Sequence, residues 1–125
     1  MFLNQPAFRY DHTDAAGRVW YELAEPLTLD MTLNGGSFCV RVPAGFQTDG
    51  ASVPRFFWRI LPPMGRYWRP AVLHDYLYRA GTCSRFLADA VFRDAMRADG
   101  VSAWKRLAMY YAVRVFGGRS WRSRR

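Results

Sequence analysis

The sequence predicts an α+β fold, with a small antiparallel β-meander followed by three to four helices. Two periodicities support this prediction. Before residue 50, apolar side chains alternate with polar ones, as they do in half-buried strands. After residue 50, the apolar spacing lengthens to three and four residues, which places those side chains on one face of a helix. Strands that precede all the helices indicate an α+β arrangement.

Three alternating sets define the predicted strands, which cover Val19–Leu23, Leu27–Met31 and Phe38–Val42. Glu25-Pro26 predicts a break between the first two strands. Asn34-Gly35-Gly36 separates the second from the third and predicts a hairpin, because a tight turn there requires positive φ angles.

Caps and breakers divide the second half into helices. A short helix capped by Ser52 carries Phe56 to Leu61 and precedes a helix over Pro70–Ala80, which Gly81 ends. The next helix covers Ser84–Asp99, and the short connection predicts that it packs antiparallel to its predecessor. The last helix begins after Ser102 and ends at Gly117. Its predicted packing face contains Trp104, Leu107, Ala108, Tyr111, Ala112 and Val115.

Length and composition predict a single domain over residues 1–118 and a basic tail over 119–125. The chain has 125 residues, of which 50% are hydrophobic, which suffices for one core. No apolar run is long enough to span a bilayer, and the N-terminus lacks the pattern of a secretion signal. Two cysteines, Cys39 and Cys83, are too few for a disulfide scaffold and suit a reducing compartment.

The formal net charge of +8 leaves two interpretations open. It indicates either an anionic partner or the arginine-rich composition of a GC-rich genome, and we favour the second for residues before the tail. The tail, Arg119–Arg125, contains four arginines. It is predicted either to contact phosphates or an acidic neighbour, weakly, or to be a solvated terminus.

His74 and Asp89 are the principal candidates for chemistry. His74 and Tyr78 are four residues apart and therefore share a helix face, whereas Asp75 is offset by about 100°. An imidazole is a natural general base when a carboxylate fixes its tautomer. Asp75 diverges from the ring, so we expect the orienting carboxylate to be Asp89, which lies among apolar residues of the next helix and requires a partner.

Structural alternatives exist for each of these residues. Asp89 is flanked by Arg85 and Arg93 at i−4 and i+4, which also fits a surface salt-bridge ladder. His74 with Asp75 also fits a core histidine beside a solvated aspartate. In the segment from Gly45 to Pro54, Asp49 fits either a site carboxylate or a turn, and Ser52 a helix cap.

Three strings of residues carry a first resemblance, from Val42 onward. They are Phe46-x-Thr48-Asp49-Gly50-Ala51-Ser52-Val53-Pro54-Arg55, Ala71-Val72-Leu73-His74-Asp75-x-Leu77-Tyr78 and Ala88-Asp89-x-x-Phe92-x-x-Ala95-Met96. Together they resemble a family of small proteins of unknown function carried by tailed phages, prophages and bacteria. The resemblance implies a phage setting, with phage structural proteins or the host envelope as partners and the host cytoplasm or virion as location.

A second resemblance covers about twenty-five residues. His74-Asp75-x-x-Tyr78 followed by Arg85-x-x-Ala88-Asp89-x-x-Phe92 is similar to the two active-site helices of secreted-type, calcium-dependent phospholipases. The resemblance implies that His74 activates water, Asp75 binds Ca²⁺, Asp89 orients His74 and Tyr78 supports Asp89. The calcium loop and the disulfides of that family are absent from this sequence. Asp75 alone cannot supply the six to eight oxygens that Ca²⁺ prefers, so Asp49 is the expected second metal ligand.

Three functional hypotheses follow. The first is a hydrolase of lipid or envelope esters with a His74–Asp89 dyad, in which exposed aromatics such as Trp58, Tyr67 and Trp68 contact an anionic surface. The second is a non-catalytic virion, tail-assembly or host-interaction protein in which the polar cluster fixes the helix pair. Nucleic-acid binding through the arginine tail ranks last, since no reading motif supports it.

Overall fold

The structure is a computed structural model and describes residues 2, 4, 6–33, 36–48 and 68–123. The chain divides into two compact units, Met1–Asp49 and Gly50–Arg125. The described strands all lie in the first unit and the described helices in the second, which confirms the α+β class. Asp49 and the predicted helix that begins at Ser52 lie outside the described residues.

The strand unit contains two antiparallel sheets. Its strands are β1 (Phe8–Thr13), β2 (Val19–Leu23), β3 (Leu27–Leu33), β4 (Gly36–Val42) and β5 (Gln47–Thr48). The strand order is β1-β2-β5 in one sheet and β3-β4 in the other. Consecutive strands β2 and β3 therefore belong to different sheets, whereas the expected meander would have placed them side by side.

The predicted hairpin is present as the β3–β4 pair. Its register places Leu27 opposite Val42 and Leu33 opposite Gly36, with residues 34 and 35, which lie outside the described residues, between them. Along β3, Leu27, Leu29 and Met31 are buried and the intervening Asp30 is exposed. This alternation confirms the period of two that the sequence indicated.

The helical unit contains α1 (Trp68–Ala80), α2 (Arg85–Ala98), α3 (Ala103–Phe116) and the short α4 (Gly118–Ser123). The side chain of Ser84 accepts a hydrogen bond from the backbone N–H of Leu87, so the predicted cap of α2 is confirmed. Ser102 occupies the same position before α3 but makes no such side-chain bond. Gly81 adopts the positive φ that ends α1.

Helices α1 and α2 are antiparallel neighbours, as predicted. At one end, Arg69 forms an ion pair with Asp99. At the other end, Tyr78 reaches Asp89 and is approached by Arg85. A core of apolar residues from α1, α2, α3 and the α2–α3 connection lies between the helices. These core residues are Ala71, Phe92, Met96, Val101, Met109 and Val113.

The predicted packing face of α3 is wrong for its large side chains, whereas Ala112, which it included, is buried. Trp104, Leu107, Tyr111 and Val115 are all exposed, whereas Met109, Ala112 and Val113 face the core. The exposed side of α3 carries more apolar side chains, and larger ones, than the buried side does. A count of apolar residues therefore favoured the wrong face. Trp68, which was expected to be exposed, is buried at the start of α1.

The chain after Gly117 contributes to the helical unit. Residues 118–123 form α4, and the ring of Trp121 packs edge-on against Tyr78 with centroids 5.2 Å apart. The expectation of one domain over residues 1–118 stays a prediction. Among the described residues, no helix combines the length and the apolar character that crossing a bilayer requires.

Candidate functional site

One buried carboxylate organises the candidate site. Asp89 lies on α2 and is fully buried, as are His74 and Tyr78 on α1. Its Oδ1 accepts hydrogen bonds from His74 Nε2 and from Tyr78 Oη, each at 2.7 Å. The predicted meeting of the imidazole with the carboxylate of the next helix is therefore confirmed. The alternative of a surface salt-bridge ladder is wrong, because it requires an exposed carboxylate.

The second carboxylate oxygen faces two arginines. Arg114, near the end of α3, donates from Nη1 to Asp89 Oδ2 at 2.8 Å, and Arg85 Nε lies 3.9 Å from the same oxygen. Burial by itself would raise the pKa of Asp89. The hydrogen bonds from His74, Tyr78 and Arg114 outweigh it and lower that pKa, so the carboxylate stays ionised at neutral pH.

Arg85 also ties the start of α2 to the end of α3. Its Nη2 donates to the backbone carbonyls of Val113, at 2.8 Å, and Arg114, at 2.6 Å. These carbonyls belong to the last turn of α3, where the helix dipole favours a cation. These two bonds fix the backbone of α3 at Arg114. The guanidinium group of Arg85 therefore stabilises the ion pair between Arg114 and Asp89.

Tyr78 connects the carboxylate to α4. Burial, followed by the hydrogen bond to ionised Asp89, raises the pKa of Tyr78, so the phenol remains a donor over the whole physiological range. A Cβ atom on Gly117 would lie 2.7 Å from Tyr78 Oη and closer still to the Val113 carbonyl oxygen. The absence of a side chain at Gly117 therefore leaves room for the phenol.

His74 is enclosed by aromatic rings. Its ring centroid lies 4.2 Å from that of Tyr78 and 4.5 Å from that of Phe92. Nε2 carries the proton donated to Asp89, so in the neutral ring Nδ1 is the acceptor. Nδ1 is buried and makes no hydrogen bond with any residue that the structure describes. Buried polar atoms in native proteins are nearly always satisfied, so this nitrogen requires an explanation.

Asp75 is buried rather than solvated, contrary to one of the alternatives considered above. Its Oδ2 lies 3.4 Å from Arg79 Nε, one turn further along α1. A cation already faces this carboxylate, and no group of three His, Cys, Asp or Glu residues in the described part of the chain is placed to hold a metal ion. Asp49, the other expected metal ligand, lies outside the described residues, so Ca²⁺ binding stays a prediction.

Sequence reasoning missed two members of the site. Arg114 lies 25 residues from Asp89, and only the packing of α3 against α2 brings them together. Trp121 belongs to a segment that was interpreted only as a basic tail. Arg93, considered beforehand as a partner of Asp89, instead places its guanidinium 4.9 Å from the centroid of the Tyr110 ring. The isolated position of Arg114 in the apolar run from Leu107 to Phe116 was the available signal.

Comparison with known proteins identifies the family. A family model described as "Protein of unknown function (DUF1353)" matches residues 21–113, which is most of the chain. The chain belongs to the DUF1353 family. This DUF1353 protein is also 36% identical over 118 residues to the uncharacterized protein y4jT of Sinorhizobium fredii (strain NBRC 101917 / NGR234). The match covers 93% of the chain but 34% of y4jT, so the chain spans about a third of that relative. No solved structure matches the chain.

The matched region contains the carboxylate network but excludes α4. Residues 21–113 include His74, Tyr78, Arg85 and Asp89, whereas Arg114 follows directly after the match. The comparisons confirm a family of unknown function, as the first resemblance implied. The phage setting and the likeness to phospholipases stay predictions.

Proposed function

We propose that this DUF1353 protein is a hydrolase in which His74 is the general base and Asp89 orients it. The observation that carries the proposal is the pairing of Nε2 with a buried, ionised carboxylate while Nδ1 has no hydrogen-bond partner among the described residues. A satisfied core histidine would use both nitrogens. An imidazole held in one tautomer with a lone pair on the opposite nitrogen has the arrangement that proton abstraction from water requires.

The proposed reaction is hydrolysis of an ester. Water transfers a proton to His74 Nδ1 as its oxygen attacks the carbonyl carbon, and the protonated imidazole then returns that proton to the departing alkoxide. Asp89 stabilises the imidazolium that forms in between, and Tyr78 and Arg114 keep Asp89 ionised. The proposed substrates are lipid or cell-envelope esters, and the proposed setting is a phage or prophage. The substrates and the setting both follow from the sequence resemblances.

The test compares the two histidines of the chain. Hydrolysis of p-nitrophenyl butyrate and of phospholipid vesicles is measured for the wild-type protein, His74→Gln and the matched control His12→Gln, each with added Ca²⁺ and with EDTA. His12 is exposed on β1 and lies outside the proposed site. The proposal expects His74→Gln to lose about 100-fold or more in rate and His12→Gln to retain the wild-type rate. Equal rates in all three proteins would eliminate it.

A second candidate function is favoured by the burial of the network. Asp89 and His74 have no solvent-exposed surface, and donors from α1 and α3 converge on one carboxylate of α2. Such a network also fixes the packing of helices in a non-catalytic phage structural or host-interaction protein. In that case His74→Gln lowers the melting temperature and no esterase activity is detected in any variant. Lysis genes beside the coding gene would favour the hydrolase, and tail-assembly genes the second candidate.

A further inference from the structure

The positive charge of the chain is concentrated at one end. None of the ten Asp and Glu residues lies after Asp99, whereas seven of the 18 Lys and Arg residues do. The preceding residues are close to electrically balanced. General arginine usage distributes cations along the whole chain and does not explain such an asymmetry. A strong difference in charge between segments instead indicates a negatively charged partner.

The same segment presents an apolar face to solvent. Trp104, Leu107, Tyr111 and Val115 follow one another at intervals of three and four residues, which places them on one side of α3. They are 63%, 51%, 62% and 69% exposed, respectively. This face lies away from Met109, Ala112 and Val113, which pack into the core. We call these four residues the outer face of α3.

Cations border the outer face. Lys105 Nζ lies 5.7 Å from the centroid of the Trp104 ring. Arg114, adjacent in sequence to Val115, lies over the exposed ring of Phe86, 5.4 Å from its centroid. Helix α3 contains no acidic residue. Helix α3 therefore contributes large apolar side chains and cations to this face but no carboxylate that would repel an anionic surface. Of the two cations, Arg114 is also paired with Asp89.

We propose that the outer face of α3 docks onto an anionic lipid bilayer. The interface of such a bilayer offers an apolar phase for leucine, valine and the aromatic rings, and a negative surface potential for the bordering cations. Nucleic acid satisfies the cations but offers no comparable phase for Leu107 and Val115. The proposal stands without the hydrolase, because none of the four residues belongs to the Asp89 network.

The test measures co-sedimentation of the full chain with 100 nm vesicles of phosphatidylglycerol and phosphatidylcholine, and with vesicles of phosphatidylcholine alone. We expect binding to the anionic vesicles that weakens as salt rises. Leu107→Ser/Val115→Ser should reduce the affinity at least tenfold without changing the melting temperature, because both side chains are mostly exposed. Tyr10→Ser/Val19→Ser is the matched control, since it removes two exposed apolar side chains from the strand unit, and it should bind as the wild type does.

Three outcomes would overturn the proposal. They are equal binding by the two double variants, binding to duplex DNA without binding to vesicles, and self-association that Leu107→Ser/Val115→Ser abolishes while vesicles remain unbound. His74→Gln separates this proposal from the hydrolase. If His74→Gln still binds vesicles and the wild type hydrolyses no ester, the docking proposal is supported and the hydrolase proposal is contradicted. Hydrolysis of soluble esters without vesicle binding leaves the hydrolase alone.

Discussion

The charge of Asp89 is buried and accepts hydrogen bonds from His74, Tyr78 and Arg114, so the stability of the helical unit depends on it. Asp89→Asn leaves Arg114 and Arg85 facing a neutral amide, and we expect the free energy of unfolding to fall by about 3 kcal/mol. This value lies at the lower end of the range for breaking a buried pair, since both arginines retain some contact with solvent. Urea denaturation measures it. Asp94→Asn on the same helix is the control and should change stability by less than about 0.5 kcal/mol.

The ionisation of Asp89 also predicts how stability depends on pH. Its pKa in the folded state is lowered, so its carboxylate contributes stability above the unfolded-state pKa of about 3.9 and loses that contribution as the pH falls through the folded-state value. We expect the difference in unfolding free energy between wild type and Asp89→Asn to shrink as the pH falls below about 4. A difference that persists undiminished to pH 2 would contradict this assignment.

Among the secondary-structure elements, the sequence predicted those that local chemistry determines. Ser84 and Gly81 mark where α2 begins and α1 ends, and the short link between them brings His74 to Asp89. Strand β1 was missed because its residues are mostly polar or exposed and lack a clear apolar alternation. The position of Arg114 depends on how α3 packs, and the larger apolar side of α3 predicted the wrong packing face. Long-range packing therefore accounts for the missed role of Arg114.

The junction of α3 with α4 yields a prediction about steric room. Gly117→Ala would place a methyl group against the Val113 carbonyl and the phenol of Tyr78, both of which are held in place. We expect a loss of about 1–3 kcal/mol, because a well-packed site must shift to accept the added group. Gly118→Ala would meet only the ends of the Arg122 and Arg85 side chains, at 3.1 and 3.4 Å. Thermal denaturation of both variants should therefore show a large effect for the first and a small one for the second.

At the scale of the whole molecule, each of the two compact units contains buried apolar side chains. Leu23, Leu27, Leu29 and Val42 are buried in the strand unit, whereas Phe92, Met96, Met109 and Val113 are buried in the helical unit. The outer face of α3 and the Asp89 network both belong to the helical unit. The proposed chemistry and the proposed docking therefore depend on the stability of residues 68–123.

This division predicts that the units open separately. Leu29→Ala should cost about 2–5 kcal/mol and speed amide hydrogen exchange mainly within residues 6–48, because Leu29 lies on β3 of the strand unit. Met109→Ala should have a similar cost and act mainly within residues 68–123. Exchange measured by mass spectrometry on both variants distinguishes the two patterns. Faster exchange along the whole chain in both variants would instead show that residues 1–118 unfold as the single domain that their length and composition predicted.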